Sequence, residues 1–478
     1  MDTDTKPERP WIGLWVPIVW YSLEASQSVT RWLALMAGRP LVVDSMDGSP
    51  LDRSIYIGLM ILALLILVKR RIRWGELIQS NRALTVLFLY MLVSVVWSDV
   101  PGVSFKRWAR TLIDGLMVLV VLTDRAPFAA ESSLIRRVMY VHIALSVIFI
   151  KYFRTLGTGW DEFGHEMWVG VTTHKNVLGQ VAMIGGIYFV FDLMRNWRQR
   201  RIVVKLVYFG YLGLILWLLR GAPSHRSTTA IFGFAIGITV LLGLQCLQSR
   251  VAYLRRYFVP ALAACAFVFV LAAADRSLVT AVTSASGRDV TLTGRTDLWA
   301  DLLDIAADHP ILGVGYGSFW IGNTHNLWEE HLWGPTQGHN GYIDVYLELG
   351  VVGLLMLAAV IIGAFLGALD RMRANFGRGG QGMLHFAWLT VIVIHNVSES
   401  SYLRGTVDLW FIFLLCAITV PPPRKVAVSE ATMPVLSGAG VSLAGPRPFA
   451  VVTEPKLHPT IHGNDALPVS PRAALGAR

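Results

Sequence analysis

The chain contains a long series of apolar runs, and most of them are about 17–25 residues long. A run of this length, folded as a helix, crosses a hydrocarbon core of about 30 Å, and helices satisfy their own backbone hydrogen bonds in lipid. Only 15% of the 478 residues are charged, whereas soluble proteins carry about 25%. The sequence therefore predicts an all-α polytopic membrane protein.

Twelve runs are predicted to span the membrane. Their limits are 11–36, 54–70, 82–98, 106–123, 135–152, 174–194, 202–220, 226–248, 252–274, 341–369, 382–398 and 405–423. Glu24, Ser26 and Gln27 interrupt the first run, and without it the topology would shift by one span.

The distribution of basic residues orients these spans. Five alternate loops, at 69–82, 124–137, 195–201, 249–256 and 370–378, each contain several Lys or Arg and are predicted to be cytoplasmic. The opposite loops are poor in basic residues, with one in 153–173 and three in 275–340. The net charge of +10 thus reflects membrane topology, and we expect the lipid bilayer, not nucleic acid, as the partner.

This topology divides the chain into five regions. They are a cytoplasmic N-terminus (1–10), spans one to nine (11–274), a large periplasmic loop (275–340), spans ten to twelve (341–423) and a tail (424–478). The tail is rich in Pro, Ala, Gly and Val without periodicity, which predicts a disordered cytoplasmic segment.

Five polar clusters fall on the side opposite the basic loops. They are THKN (173–176), SHRSTT (224–229), SGRDVTLTGRTDLW (286–299), GHNGYIDVYLELG (338–350) and HNVSES (395–400). Ionisable groups near membrane depth are costly, so together they indicate a functional pocket. The alternative is that each cluster caps a helix end and meets interfacial water.

Arg226 and Arg295 lie among small polar residues in these clusters. A guanidinium offers a rigid fork of donors that suits bidentate contacts to phosphate. Two converging arginines could therefore hold a diphosphate and stabilise it as it leaves. The alternative for Arg295 is a salt bridge to Asp297 or Glu399.

His339 precedes a long apolar helix and is the candidate for acid–base chemistry, because imidazole can accept a proton near neutral pH. Three further histidines, His309, His325 and His331, share the large loop. Their spacing matches no common zinc pattern, so we expect no metal.

Two other patterns in the large loop predict local structure. From Arg295, apolar residues recur at Leu298, Leu302 and Ile305, which predicts an amphipathic helix lying at the outer interface. The sequence GVGYGS (313–318) lacks the Lys and Ser/Thr of a phosphate-binding loop and is predicted to form turns.

The motifs GRTDLW, HPILGVGYGSFW and GHNGYIDVYLELGVVG, in this order on a polytopic chain, resemble the O-antigen ligase and Wzy-type polymerase superfamily. THKNVLG (173–179) and HNVSES (395–400) extend the resemblance to its ExoQ-like branch for exopolysaccharide production. The resemblance covers residues 11–423 and is strongest from 284 to 353. It implies a fold similar to the GT-C class of membrane glycosyltransferases.

The resemblance also implies a function. Members take a glycan from undecaprenyl diphosphate at the periplasmic face of the bacterial inner membrane and pass it to an acceptor sugar. This chain is therefore expected to polymerise lipid-linked oligosaccharide repeat units into exopolysaccharide or O-antigen. Members use no metal, nucleotide or other cofactor, and transfer to the acceptor glycan inverts the anomeric carbon. A chain-length regulator or an export complex would be a further partner.

Each site residue is assigned by its place in a motif. Arg295 is the arginine of the GRT motif, His339 the histidine of the HN motif, and Arg226 the arginine that follows the preceding outer loop; these three form the predicted catalytic set. The predicted substrate-binding residues are His174, Lys175, Asn176, Arg288, Asn340 and Glu399.

Three alternatives remain open at this stage. An O-antigen ligase would transfer finished polymer to lipid A core from the same donor. A solute transporter would place polar residues and broken helices at the bilayer midplane, whereas the middles of most predicted spans are apolar. A non-catalytic scaffold in an export complex would tolerate the loss of Arg295 and His339.

Overall fold

The computed structural model describes most of the chain up to residue 421. The described residues are 12–38, 49–70, 72–160, 164–222, 227–247, 253–257, 295–322, 327, 331, 334–374, 380–405 and 408–421. The predicted tail, 424–478, lies outside them, and so does the predicted ninth span, 252–274, except for residues 253–257.

The described part is helical except for one short hairpin. Its α-helices are α1 (Trp15–Glu24), α2 (Val29–Met36), α3 (Pro50–Lys69), α4 (Trp74–Ser80), α5 (Arg82–Ser94), α6 (Pro101–Leu122), α7 (Pro127–Tyr152), α8 (Arg154–Gly157), α9 (Lys175–Asn196), α10 (Ile202–Arg220), α11 (Thr228–Cys246), α12 (Arg295–Ala306), α13 (Phe319–Gly322), α14 (Gly341–Ala374), α15 (Gln381–His395) and α16 (Asp408–Ala417). Strands β1 (Thr158–Trp160) and β2 (Glu166–Trp168) pair antiparallel, with Gly159 opposite Met167.

Among the described residues, six helices are long and apolar enough to cross a membrane, or seven if the bent pair α4 and α5 forms one span. Three shorter apolar stretches, Ile12–Glu24, α15 and α16, add to them. The prediction of an all-α polytopic membrane protein is therefore confirmed. The number twelve and the GT-C-like arrangement stay predictions.

The first predicted span, 11–36, is wrong as a continuous helix. The chain leaves the helical path after Glu24, and α2 begins only at Val29, where the Ser28 hydroxyl accepts a hydrogen bond from the Arg31 amide. The physical reason is a distant contact: the side-chain amide of Gln27 donates to the backbone oxygen of Thr172 at 2.8 Å. The three polar residues that interrupt the apolar run thus mark a real break.

Helix α9 lies at the centre of the described bundle. Small residues allow close packing against it, because Gly233 and Gly237 of α11 approach Met183 and Ile187 of α9. α11 also packs on Val391 of α15 through the same glycines. The N-terminus of α9 is thereby held close to the C-terminus of α15, which is where the candidate site lies.

Helix α14 has a sharp break at Gly350, whose φ of 64° is left-handed. The loop after Pro310 docks onto the break: Val351 N–H donates to the Pro310 oxygen at 2.9 Å and Gly315 N–H to the Glu348 oxygen at 2.9 Å. Backbone groups left without helical partners are thus satisfied by the glycine-rich loop. GVGYGS therefore forms turns, as predicted, and its amides bond to α14.

Gly350→Ala is expected to unfold this junction, because an added Cβ would lie 2.1 Å from the Ile311 oxygen. The left-handed backbone alone would cost a non-glycine residue about 1–2 kcal/mol. The matched control is Gly363→Ala in the same helix, where a Cβ would meet nothing within 4 Å. Thermal unfolding in detergent should show a lower midpoint for Gly350→Ala only; equal midpoints would contradict the packing described.

Candidate active site at one end of the bundle

The carboxylate of Glu399, in the loop after α15, joins its own polar cluster, HNVSES, to three of the other four. Its Oε1 accepts from Asn176 Nδ2 at 2.7 Å and from Arg295 Nη2 at 3.0 Å, and its Oε2 lies 3.3 Å from His339 Nδ1. Glu399 is only 4% exposed. Residues that are up to 223 positions apart in sequence therefore meet on one buried carboxylate.

The charge of Glu399 is held by its partners. Burial would raise the pKa of this carboxyl, but the His339 hydrogen bond and the Arg295 charge outweigh burial and lower the pKa to about 2. Because the folded pKa lies below the ordinary value of 4.5, the pairing stabilises the fold above that pH. The contribution is lost as pH falls toward 2, so Glu399 is an anion under all physiological conditions.

His339 stands in a strained turn. Its φ is 48°, and it is one of only two non-glycine residues with positive φ in the described part of the chain. Gly341 N–H donates to the Asn396 oxygen at 2.8 Å, and Gly338 N–H donates to Asp344 Oδ1 at 2.9 Å. Strain of this kind persists only where the surroundings fix it, and it is concentrated at functional sites.

Arg295 begins α12, and its side chain reaches the loop after α15. Nη1 donates to the Ser398 oxygen while Nη2 pairs with Glu399. The salt bridge to Glu399 that the sequence offered as an alternative is therefore present. Two of the five guanidinium donors make these bonds, so the pairing orients the arginine without using its whole hydrogen-bonding capacity.

Arg226 and Arg288 lie outside the described residues, but the chain that follows Arg226 is at the site. A Cβ on Gly179 of α9 would lie 3.0 Å from the Ser227 Cβ. Thr229 Oγ1 is 3.2 Å from Ser398 Oγ, next to Glu399. Ser227 and Thr229 of the SHRSTT cluster therefore lie beside the other four clusters, and the catalytic role of Arg226 stays a prediction.

Two predicted substrate-binding residues also cap helices. The His174 ring accepts from the Asn176 amide at the start of α9. Asn340 Oδ1 accepts from the amides of Tyr342 and Ile343 at the start of α14. The capping alternative raised for each polar cluster is therefore real for these two residues, while Lys175 is the first residue of α9. Their contact with a substrate stays a prediction.

A second buried carboxylate, which sequence reasoning missed, supports the turn that carries His339. Besides binding the Gly338 amide, Asp344 accepts from Trp320 Nε1 at 3.0 Å and from Arg404 Nη2 at 2.7 Å. The sequence did contain a signal for Asp344, because this residue lies within the GHNGYID stretch (338–344) that also contains His339. The partner Arg404, however, is 60 residues away and carries no motif that points to it.

The amphipathic helix predicted from Arg295 is present as α12, but its apolar face meets protein. Leu298 and Leu302 are fully buried and pack with Phe319, Trp320 and Leu347 into a small core of their own. On the polar face, His331 Nε2 lies 2.7 Å from an Asp301 oxygen. In the described part of the chain, α12 therefore covers the first turns of α14, and its position at the outer interface stays a prediction.

The expectation that the spans have apolar middles is incomplete. Asp114 of α6 and Glu24 of α1 are buried in the bundle, and Arg110 of α6 is partly buried beside them. Arg110 pairs with Glu24 at 2.9 Å, and Trp20 Nε1 donates to Asp114 at 2.7 Å. Pairing explains how these charges are tolerated inside apolar surroundings, and hydropathy alone did not reveal them.

Comparison with known proteins gives two matches. Residues 214–358 match the family described as O-antigen ligase, a stretch that includes Arg226, Arg295 and His339 but not Glu399. The chain is also 26% identical over 355 residues to the exopolysaccharide production protein ExoQ of Rhizobium meliloti (strain 1021), across 71% of this chain and 77% of that protein. The predicted resemblance to the O-antigen ligase and Wzy-type polymerase superfamily, with its ExoQ-like branch, is confirmed.

Proposed function

We propose that this chain is a membrane glycosyltransferase that joins oligosaccharide repeat units, carried on undecaprenyl diphosphate, into exopolysaccharide or O-antigen at the periplasmic face of the inner membrane. The observation that carries the proposal is the cluster in which buried Glu399 holds His339 and Arg295 together. The match to the O-antigen ligase family and the similarity to an exopolysaccharide production protein support a role in polysaccharide biosynthesis.

His339 acts as the base in the proposed reaction. Because ionised Glu399 can only accept hydrogen bonds, the proton of a neutral His339 ring resides on Nδ1 and the lone pair on Nε2. Nε2 takes the proton of the attacking acceptor hydroxyl. The hydroxyl oxygen forms the new bond to the anomeric carbon as the bond to the diphosphate oxygen breaks, and the configuration inverts.

The arginines stabilise the leaving group. The electron pair of the broken bond departs on undecaprenyl diphosphate, whose added charge is offset by Arg295 together with Arg226. Arginine charge replaces the divalent cation in this scheme, so the reaction proceeds without metal. His174, Lys175 and Asn176 hold the acceptor glycan, and Arg288 and Asn340 are the further substrate contacts proposed.

The description of the matched family favours a second candidate, a ligase that transfers finished polymer to lipid A core. Donor, leaving group and proton transfer would be the same, so the Glu399 cluster serves either reaction. The similarity to an exopolysaccharide production protein, which covers more of the chain, favours polymerisation.

The lipid-linked glycans of a deletion strain separate these functions. A polymerase predicts that single repeat units accumulate on the lipid and that the wild-type gene restores long chains. Accumulation of long polymer on the lipid would identify the ligase. An unchanged lipid-linked profile would overturn both functions and favour a transporter or scaffold.

A further inference from the structure

A polar cavity of about 310 Å³ opens beside the β-hairpin, apart from the Glu399 cluster. It is lined chiefly by Lys151 and Arg154, Thr158 and Glu166 of the hairpin, and Trp168 and Trp217. The cavity is named here the Trp168/Trp217 pocket, and the proposed reaction assigns it no role.

The lining of the pocket combines aromatic and charged side chains. The rings of Trp168 and Trp217 stack with centroids 4.3 Å apart and planes 29° from parallel. Lys151 Nζ lies 5.9 Å from the Trp217 centroid, and Arg154 Nη2 donates to both Glu166 oxygens at 2.5 and 2.7 Å. Flat apolar surface bordered by a few hydrogen-bonding groups is the composition of a small-ligand site.

This composition fits a sugar. One face of a pyranose ring presents C–H groups that pack on an indole, while its hydroxyls both donate and accept hydrogen bonds. Glu166 supplies an acceptor, and Lys151 and Arg154 supply donors. Two cations against one carboxylate also suit a neutral or acidic sugar better than a basic one.

The pocket opens at the same end of the bundle as the Glu399 cluster. Lys151 and Trp217 lie in the last turns of α7 and α10, and strand β2 leads through five residues to His174. Ala222 lines the pocket, and Thr229, which contacts Ser398, follows seven residues later. Seven residues span at most about 25 Å, so an oligosaccharide of several sugars can reach both places.

We propose that the Trp168/Trp217 pocket is a glycan-binding subsite that holds the acceptor chain several sugars away from its reacting end. The proposal rests on the proposed function. The main rival is that these tryptophans only anchor the protein at the membrane interface. Against that rival, both rings line a pocket that also contains Lys151, Arg154 and Glu166, and Trp168 belongs to the hairpin and not to a spanning helix.

Binding can be tested without turnover in full-length His339→Asn protein in nanodiscs. The probe is lipid-free oligosaccharide repeat units, released by mild acid from the lipid-linked glycan of the host strain, and affinity is measured by calorimetry. We expect added Trp217→Ala to weaken Kd at least about tenfold and Trp217→Phe to weaken it less. Lys151 is exposed, and Lys151→Ala, which leaves both tryptophans in place, should weaken Kd about threefold.

The matched control is Trp197→Ala at the opposite end of the bundle, where Lys205 Nζ lies 4.4 Å from the ring centroid. It should leave Kd unchanged. Equal affinity for the parent and both pocket variants, Trp217→Ala and Lys151→Ala, or no binding by the parent, would overturn the subsite. These outcomes leave the proposed function standing, since that is decided by the lipid-linked glycans of the deletion strain.

Discussion

Arg295→Ala is expected to lower the rate of glycan transfer by at least about 10³-fold, the range found when a cationic stabiliser of a leaving phosphate is removed. The physical reason is that the charge developing on the diphosphate loses a partner already oriented by Ser398 and Glu399. Initial rates in membranes containing equal amounts of protein measure the effect. Arg295→Lys keeps the positive charge but loses the planar set of guanidinium donors. Its rate should lie between those of the wild type and Arg295→Ala.

The loss of Arg295 also leaves the buried Glu399 charge without its salt bridge, which destabilises the protein. The double variant Arg295→Ala/Glu399→Gln removes that charge and should recover protein level without recovering activity. The control is Arg255→Ala, which breaks an exposed ion pair with Asp370 at the end of the bundle opposite the Glu399 cluster. It should change neither the protein level nor the activity. A fully active Arg295→Ala chain would show that the pairing with Glu399 is structural alone.

His339→Asn is expected to slow transfer by about 10²–10⁴-fold through loss of the general base. Asparagine is chosen because it tolerates the positive φ of 48° at this position, so the turn should survive. Rates of the variant and the wild type are compared at saturating substrate. The comparison requires that the variant protein reaches the wild-type level in the membrane. Wild-type rates in His339→Asn would exclude base catalysis by this ring.

Glu399→Gln tests whether Glu399 positions the ring of His339. It keeps the shape of the side chain but removes the carboxylate that fixes the His339 ring. In a serine protease, losing the carboxylate that orients a catalytic histidine costs about 10⁴-fold, so we expect a loss between tenfold and that limit. An unchanged rate would mean that Glu399 plays no part in positioning the base.

The spanning helices could be predicted because lipid imposes one strong rule on the chain. Long apolar runs such as 54–70 and 202–220 correspond to α3 and α10 within a few residues. The break after Glu24 and the kink at Gly350 could not be placed in the same way. Both depend on distant partners, Thr172 and the loop after Pro310, which hydropathy does not show.

The candidate site was predicted as a set of motifs on one side of the membrane, and the described residues bring these motifs together. The sequence offered Glu399 as a possible salt-bridge partner of Arg295, but it did not reveal that the same carboxylate also contacts Asn176 and His339. A single glutamate after a predicted span has no periodicity or spacing that indicates these contacts. The same limit applies to the pairing of Asp344 with Arg404 and to Trp168 with Trp217. Tertiary contacts over long sequence separations decide all three.

The most direct test of the account is transfer by the purified chain in nanodiscs, supplied with undecaprenyl-diphosphate-linked repeat units in the presence of a chelator. We expect the wild-type chain to form glycans longer than one repeat unit and to release undecaprenyl diphosphate. We expect the Arg295→Ala and His339→Asn variants neither to form longer glycans nor to release the lipid diphosphate. No transfer by the wild-type chain until a divalent cation is added, or equal transfer by these variants, would contradict the account.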